Sequence, residues 1–472
     1  MNSPVDPAGI GARLDRLAWT RLHTTILVAL GAGWLFDSFE VQMFSSAVGP
    51  LGDHFHASTF ARDALLAVWL GGILLGALAG GPLTDRFGRR RLFVATLLWY
   101  AGFTVVTGLA PSMDTMYVFR FLAALGVGAE YAIVNAAIAE FMPARVRGKA
   151  NAVVMNFWPA GAVLAGLLAY FVLDTLALGS ASSWRAMFVF GGLVALVVLV
   201  FRRRIPESPR WLAARGRQAE ASAIVASLEP GGTALLVPSE EIADGPDPKL
   251  KAALGELFRR YPGRLALGAA LDLGEAFGYY GLFALMSVVV LARVHVSEAE
   301  IPFFYIVGNL GALIGGLAMS TFFDRLGHRT TVAVTYAAAA GGVALLAAAT
   351  ATGSAVWVTA AFVVANGAGT AAWTSAYPTF TELFPTHLRG AGVGTSVAVG
   401  RIGAIVGTLA LPSLATSLGP TVSYLLVICC WLAGLTAIGV YALVGGPDAA
   451  RRPLEALEPF PPTTATASAG AS

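Results

Sequence analysis

Gly81-Pro82-Leu83-Thr84-Asp85-Arg86-Phe87-Gly88-Arg89-Arg90 closes the second of the chain's long apolar runs, and Ser320-Thr321-Phe322-Phe323-Asp324-Arg325-Leu326-Gly327-His328-Arg329 closes the eighth, 239 residues later. A second stretch, Glu140-Phe141-Met142-Pro143-Ala144-Arg145-Val146-Arg147-Gly148, returns as Glu382-Leu383-Phe384-Pro385-Thr386-His387-Leu388-Arg389-Gly390, 242 residues on. Two motifs that recur in order at nearly one offset indicate an internal duplication.

The runs around these motifs decide the class. Six lie near 24–48, 64–84, 92–110, 115–141, 151–173 and 184–201, and six more near 264–292, 301–321, 330–350, 355–381, 390–415 and 421–444. About 20 apolar residues suffice for a helix to cross the ~30 Å hydrocarbon core of a bilayer. The chain is 56% hydrophobic and 12% charged, about half the charged share of a soluble domain, so lipid must solvate it. A soluble enzyme, a secreted disulfide scaffold and a disordered chain are excluded. Cys429 and Cys430 are neighbours within one run and cannot close a normal bridge. The expectation is an all-α membrane protein of twelve transmembrane helices in two six-helix bundles, related by the repeat and facing each other across a central cavity. The domains read as bundle 1–201, cytoplasmic linker 202–263, bundle 264–446 and a disordered tail 447–472.

Basic residues orient the chain. Of 31 Lys and Arg, 26 fall on one face, only Arg62, Arg185 and Arg293 on the other, and Arg120 and Arg401 within spans. Both termini and the linker are therefore expected in the cytoplasm. The first run follows a polar stretch and contains Asp37 and Glu40, so it is read as a span and not a cleaved signal. The basic residues are not interleaved with aromatics as in a nucleic-acid surface. No Walker motif points to ATP. His54 and His56 form a His-x-His in the first external loop, read as solvated because no acidic or Cys ligand stands at site spacing. No cofactor, no metal and no obligate protein partner are expected.

The two repeated loops, with Pro206-Glu207-Ser208-Pro209-Arg210-Trp211 in the linker, resemble the major facilitator superfamily in its sugar-porter and organic-ion branch. The resemblance covers nearly the whole chain. Tyr279-Tyr280-Gly281-Leu282, Tyr377-Pro378-Thr379 and Gly400-Arg401-Ile402-Gly403 are similar to the organic-ion transporters, and the overall pattern is most similar to bacterial nicotinate permeases. The first external loop spans only about 15 residues, Gly49 to Asp63, and the chain has no Asn-x-Ser/Thr acceptor, unlike the long glycosylated loop of eukaryotic organic-ion transporters. A bacterial plasma membrane is implied.

Ionisable side chains well inside spans are few: Asp37 and Glu40 on span 1, Arg120 and Glu130 on span 4, Asp272 and Glu275 on span 7, and Arg401 on span 11. A charge at a helix centre costs about 2.5–3.5 kcal/mol on insertion scales, so such groups face the bundle interior, either as ion and substrate path or as a pair that locks helices. The resemblance to sugar/proton symporters implies that Asp37 opposes Arg120 and carries the proton. Glu40 shares a face with Asp37. Glu130, ten residues from Arg120, is too far to pair with it, and is either a second proton site or a structural hydrogen bond.

Asp85, Arg89, Glu140 and Arg147, with their repeats Asp324, Arg329, Glu382 and Arg389, are expected to latch the cytoplasmic side. Trp34, Trp158, Tyr279, Tyr280, Trp373 and Tyr377 suit stacking on a flat ring, although each also suits plain packing. Trp158 lies beside an expected break at Gly161. Asn156 and Asn309 either bond substrate or join helices. Arg401, with no acid on its own span, is the candidate carboxylate grip; an interhelical pair with Glu130 or Glu275 is the structural alternative.

Together these residues predict a proton-coupled importer of a small aromatic monocarboxylate, nicotinate first. The alternatives are another substrate of the same machine, such as benzoate or a sugar, and a nutrient sensor on a transporter scaffold. An enzyme would need a nucleophile and base in register, and none is evident.

Overall fold

The computed structural model describes residues 9–172, 180–203, 205–229, 250–296 and 300–457. Among these, ten helices are long and apolar enough to cross a membrane by length and composition alone. Two more complete the twelve. Arg89–Thr107 (span 3) opens on three arginines, and Pro262–Leu285 (span 7) carries Arg264, Asp272 and Glu275. Both are less apolar because they bear these charged residues.

The first bundle consists of spans 1 (Arg21–His54), 2 (Thr59–Phe87), 3, 4 (Met113–Phe141), 5 (Arg147–Met155 with Phe157–Tyr170) and 6 (Ser180–Arg202). The second has span 7, extended by a π turn Met286–Val290, then spans 8 (Ile301–Leu326), 9 (His328–Ala351), 10 (Ala355–Glu382), 11 (Arg389–Leu418) and 12 (Pro420–Leu443). Side-chain hydroxyls start several of them: Thr20, Ser58, Ser112 and Ser354 each accept from the first-turn N–H at N3, which satisfies one of the orphan donors there. The repeated Asp-Arg-x-Gly motif turns on its glycine. Gly88 and Gly327 adopt φ of 92° and 83°, a region that a side chain reaches only at a cost, and each joins two spans with no residue between.

The duplication extends to packing. Gly72 and Gly76 let span 2 lie on Ala124 and Leu125 of span 4, and Gly311 and Gly315, 239 residues on, let span 8 lie on Val363 and Gly367 of span 10. Small residues at helix spacing allow this close approach, which dispersion stabilises in lipid. The two bundles meet where span 2 crosses span 11, at Gly81 against Gly390 and Ala77 against Gly394, and where span 5 runs along span 8, at Asn156 against Gly316. Large apolar side chains such as Ile314, Val356, Trp357 and Leu443 are exposed outside the bundle, as lipid contact demands.

Two sequence expectations change. Span 5 breaks at Asn156, not at Gly161, because Pro159 offers no N–H to Met155 and the Asn156 amide turns back to the Ala152 carbonyl (2.8 Å). The chain after residue 447 is not loose as far as 457. Ala449, Leu454 and Leu457 are buried with Ala139 of span 4, Arg147 donates to the Arg452 carbonyl (3.0 Å) and Arg264 to the Leu457 carbonyl (2.7 Å). The rest of the tail, and residues 230–249 of the linker, lie outside the described residues.

Candidate functional site

Arg401 stands at the centre of the molecule, 1% exposed. Its guanidinium donates to the hydroxyls of Tyr280 (3.0 Å) and Tyr377 (3.4 Å) and lies over the faces of Tyr131 and Tyr280 at 5.2 and 5.1 Å. The nearest acid is Asp272 of span 7, Oδ2 at 3.7 Å. The interhelical partner is thus neither Glu130 nor Glu275; Glu130 is engaged elsewhere.

Beside Arg401 lies a box of rings drawn from both bundles. Trp34 of span 1 meets Tyr131 (4.7 Å between centroids), Trp158 (5.5 Å), Trp373 (5.8 Å) and Tyr377 (6.5 Å). Trp158 also meets Trp373 at 5.2 Å, and Tyr279 meets Trp373 at 5.6 Å. The contacts are mostly edge-to-face, the arrangement that ring quadrupoles favour. Trp34, Trp158, Trp373 and Tyr377 are buried against one another. Asn156 and Asn309 turn their amide N–H groups to their own helices, at Ala152 (2.8 Å) and Tyr305 (2.9 Å).

The charges of the first bundle pair differently from expectation. Arg120 does not meet Asp37; it forms an ion pair with Glu40, which also accepts from Thr104 (3.0 Å), and its guanidinium lies 3.9 Å over Trp69 and 4.2 Å over Phe44. Glu40 is three residues, about 4.5 Å of rise, nearer the His54 end of span 1, level with Arg120 near the start of span 4. Glu130 is held by Arg202, the last residue of span 6, which also donates to the Phe93 carbonyl (3.0 Å). Gly33 leaves room for that pair: a Cβ there would strike both partners. Asp37, fully buried, has no arginine at ion-pair distance among the described residues.

At the end of the molecule that carries the repeated loops, the two repeats interlock. Asp85 accepts from the backbone N–H of Gly390 (3.1 Å) and Ala391 (2.9 Å) at the head of span 11, and pairs with Arg89 (3.1 Å). Arg89 reaches Glu140 (2.6 Å) and the Thr386 carbonyl (3.2 Å). Glu140 pairs with Arg389 (3.1 Å) and Arg147 with Glu382 (2.6 Å). Arg329 leaves this network: its partners are Asp448 (3.5 Å) and the Gly446 carbonyl. In the repeat the counterpart of Arg89 is His328, which stands 3.9 Å from Glu382. Asp324 lies in span 8, but its side chain is outside the description.

The linker braces the same face. Glu207 accepts from the backbone N–H of Arg89 (2.8 Å), Arg90 (3.2 Å) and Ser208 (2.9 Å). Burial pushes its carboxyl above the ordinary range, and these donors draw it partly back. Trp211 donates to the Asp85 carbonyl at 2.8 Å. Asp448 caps span 9 from the tail as Glu207 caps span 3. Burial works against its charge, yet N–H donation from Ala450 and the neighbouring His328 hold its carboxyl below the usual value.

Arg202, Tyr131 and Asp272 are the residues that the sequence reading missed as site members. Arg202 sits one residue past the sixth apolar run and was absorbed into the basic count of the linker. Tyr131 had a signal: 242 residues separate it from Trp373, so the duplication places two aromatics at equivalent points of one box.

The comparisons agree with this architecture. Residues 35–458 match the family described as "Sugar (and other) transporter". The niacin transporter NiaP of Acinetobacter baylyi is 28% identical over 396 residues, 84% of this chain and 88% of that protein. The gallate transporter of Pseudomonas putida is 28% identical over 419 residues, 87% and 89% of the two chains. The solved structure of the proton:xylose symporter XylE, bound to 6-bromo-6-deoxy-D-glucose, superposes with a TM-score of 0.76 at 20% identity, covering 92% of this chain and 98% of that one. The chain belongs to the sugar (and other) transporter family and shares the fold of the solved major facilitator transporter: it is a multi-pass membrane transporter and not an enzyme.

Proposed function

We propose that the protein imports a small aromatic monocarboxylate, with nicotinate as the first substrate, by proton-coupled alternating access across a bacterial plasma membrane, both termini in the cytoplasm. The observation that carries this reading is Arg401, a buried guanidinium against phenol hydroxyls at the edge of an aromatic box to which both bundles contribute. A guanidinium grips a carboxylate by two parallel hydrogen bonds, and the rings offer faces to a flat heterocycle. Relatives named for niacin, gallate and 4-hydroxybenzoate support the substrate class. A sugar fits less well, because the amide N–H groups of Asn156 and Asn309 are donated to carbonyls of their own helices.

Proton coupling is assigned to Asp37. Glu40 and Glu130 are each held by an arginine, whereas Asp37 is the buried acid of this cluster without one at ion-pair distance. The test is uptake of labelled nicotinate into proteoliposomes with and without an inward pH gradient, with benzoate, gallate and nicotinamide as competitors. Gradient-driven accumulation blocked by aromatic acids and not by the amide supports the reading; competition by sugars alone refutes it.

A further inference from the structure

Arg401 has an acidic partner within the protein itself. Asp272 is wholly buried, its Oδ2 stands 3.7 Å from the guanidinium, and neither carboxylate oxygen takes a hydrogen bond. This is an ion pair at arm's length, not a locked one. Span 11 makes room for it: a Cβ on Gly400 would collide with the Asp272 carboxylate. Arg401 in turn keeps its Nε–H without an acceptor, so one edge of the fork stands open to a second carboxylate.

We infer that Asp272 is an internal stand-in for the substrate's carboxylate: it balances Arg401 in the empty site, yields the guanidinium to the arriving anion, and takes up a proton as it is displaced. The inference rests on the anion-site reading of Arg401 given above. The reason for the proton is charge balance in a low-dielectric interior. Arg401 with one carboxylate is neutral; Arg401 with a substrate anion and a still-ionised Asp272 carries net negative charge away from water, which is costly. Protonating Asp272 restores neutrality, with the proton drawn from the side to which the site is open and returned when the substrate leaves.

The surroundings supply no other cation. Glu275, three residues along span 7, has no basic group at ion-pair distance among the described residues and supplies no counter-charge to an incoming anion. Tyr279 and Tyr280 share its helix. Span 4 presents Tyr131, span 9 presents Tyr336, whose hydroxyl donates to the Leu271 carbonyl at 3.1 Å, and span 10 presents Tyr377. Span 12, which packs through Trp431 and the Cys430 carbonyl on Gly278 and Gly274, contains no charged residue. Arg401 is the one positive group in this set. Asp272 is on this inference a second proton site beside Asp37: its proton enters and leaves with the substrate, whereas Asp37 is needed for the return of the empty carrier.

The test is binding of nicotinate and benzoate to the purified full-length protein in lipid nanodiscs, by calorimetry from pH 6 to 9 in two buffers of different ionisation enthalpy. Using benzoate as well removes the ring nitrogen as a source of the proton signal. The parent should bind more weakly as pH rises, by up to about tenfold per unit, and take up close to one proton per ligand. Asp272→Asn should lose both the slope and the proton uptake while binding at least as tightly as the parent at pH 9. Asp272→Glu should keep the slope, and covers the case in which the amide variant does not fold. No proton uptake by the parent overturns the inference without any variant, as does an undiminished slope in folded Asp272→Asn. A parent that binds neither acid, or binds nicotinamide equally, refutes the anion-site reading itself and takes this inference with it.

Discussion

Glu140 at the end of span 4 pairs at 3.1 Å with Arg389 at the head of span 11, the repeat counterpart of Arg147 in Glu140's own motif. The reciprocal pair, Arg147 with Glu382, completes an exchange in which each bundle's acid takes the other bundle's base. A duplicated Glu-x-x-Pro-x-x-x-Arg loop is thus not two local braces but one latch across the interface. On the proposed reading, this latch closes the cytoplasmic side and must open for substrate to leave inward.

Within the latch, the carboxylate of Asp85 takes two N–H groups at the start of span 11. Asp85→Asn removes the charge and at least one of these bonds. Hydrogen bonds to a charged group contribute about 1.5–3 kcal/mol each, so a loss of roughly 2 kcal/mol would shift the closed-to-open ratio about thirtyfold. Spin labels spanning the cytoplasmic ends of spans 2 and 11 should show longer distances, with slower transport and near-parental substrate binding. Parental distances together with lost turnover would assign Asp85 a folding role instead.

Arg120 and Glu40 are both fully buried and form the ion pair expected between Arg120 and Asp37. Their enclosure by Thr104, Trp69 and Phe44 points to helix locking. Breaking a buried pair from one side costs about 3–5 kcal/mol, because the remaining charge is stranded. Arg120→Gln should therefore markedly lower thermal stability in detergent, and Glu40→Gln added to it should recover part of the loss. A stable Arg120→Gln protein that has lost only its pH response would instead make the pair part of coupling.

Asp37 is the carboxylate to test for coupling. Asp37→Asn should abolish accumulation driven by a pH gradient while sparing exchange of labelled for unlabelled substrate, since exchange does not require return of the empty carrier. Counterflow and gradient-driven uptake in the same proteoliposomes make the comparison. Full accumulation in the variant would move the proton elsewhere.

How much of this was legible in advance follows from what periodicity records. Twelve runs and two offsets fix the number of helices, their order and the duplication, because lipid demands length and apolarity from every span. They do not fix which buried charges meet. Asp37 and Glu40 share one face three residues apart, so sequence spacing alone could not choose Arg120's partner; depth along the helix did. Arg202 was out of reach because a run's end is uncertain by a residue or two, and that margin is the difference between linker and core. The docked tail was hidden by its Pro, Thr and Ala composition, which says nothing of Asp448 capping span 9.

Orientation can be checked directly. Ser58, exposed at the start of span 2, and Ala226, exposed on the linker helix Gln218–Leu228, lie on faces with opposite basic content. In a background with Cys429 and Cys430 replaced by serine, a cysteine at Ser58 should react with an impermeant maleimide outside intact cells. A cysteine at Ala226 should react only after permeabilisation. Labelling of both from outside would reverse the assignment.

Arg401 determines, on the proposed reading, the sign of the charge the transporter accepts. Its guanidinium is set among rings and phenols, and Gly400 and Gly403 let span 7 close on span 11, at the Asp272 carboxylate and the Leu273 backbone. A planar fork with an open Nε–H edge is matched to a carboxylate; an ammonium is a point charge that offers no second parallel bond. Arg401→Lys should weaken nicotinate binding by one to two orders of magnitude, about 1.4–2.8 kcal/mol, while keeping preference over nicotinamide. Arg401→Ala should strand Asp272 without a counter-ion and leave little discrimination between acid and amide. Because that variant risks misfolding, Arg401→Ala with Asp272→Asn is the cleaner comparison: both charges are gone, the site stays neutral, and stability should exceed that of Arg401→Ala alone. If the folded double variant still prefers nicotinate over nicotinamide as strongly as the parent, the carboxylate is recognised elsewhere and Arg401 serves to join spans 7 and 11.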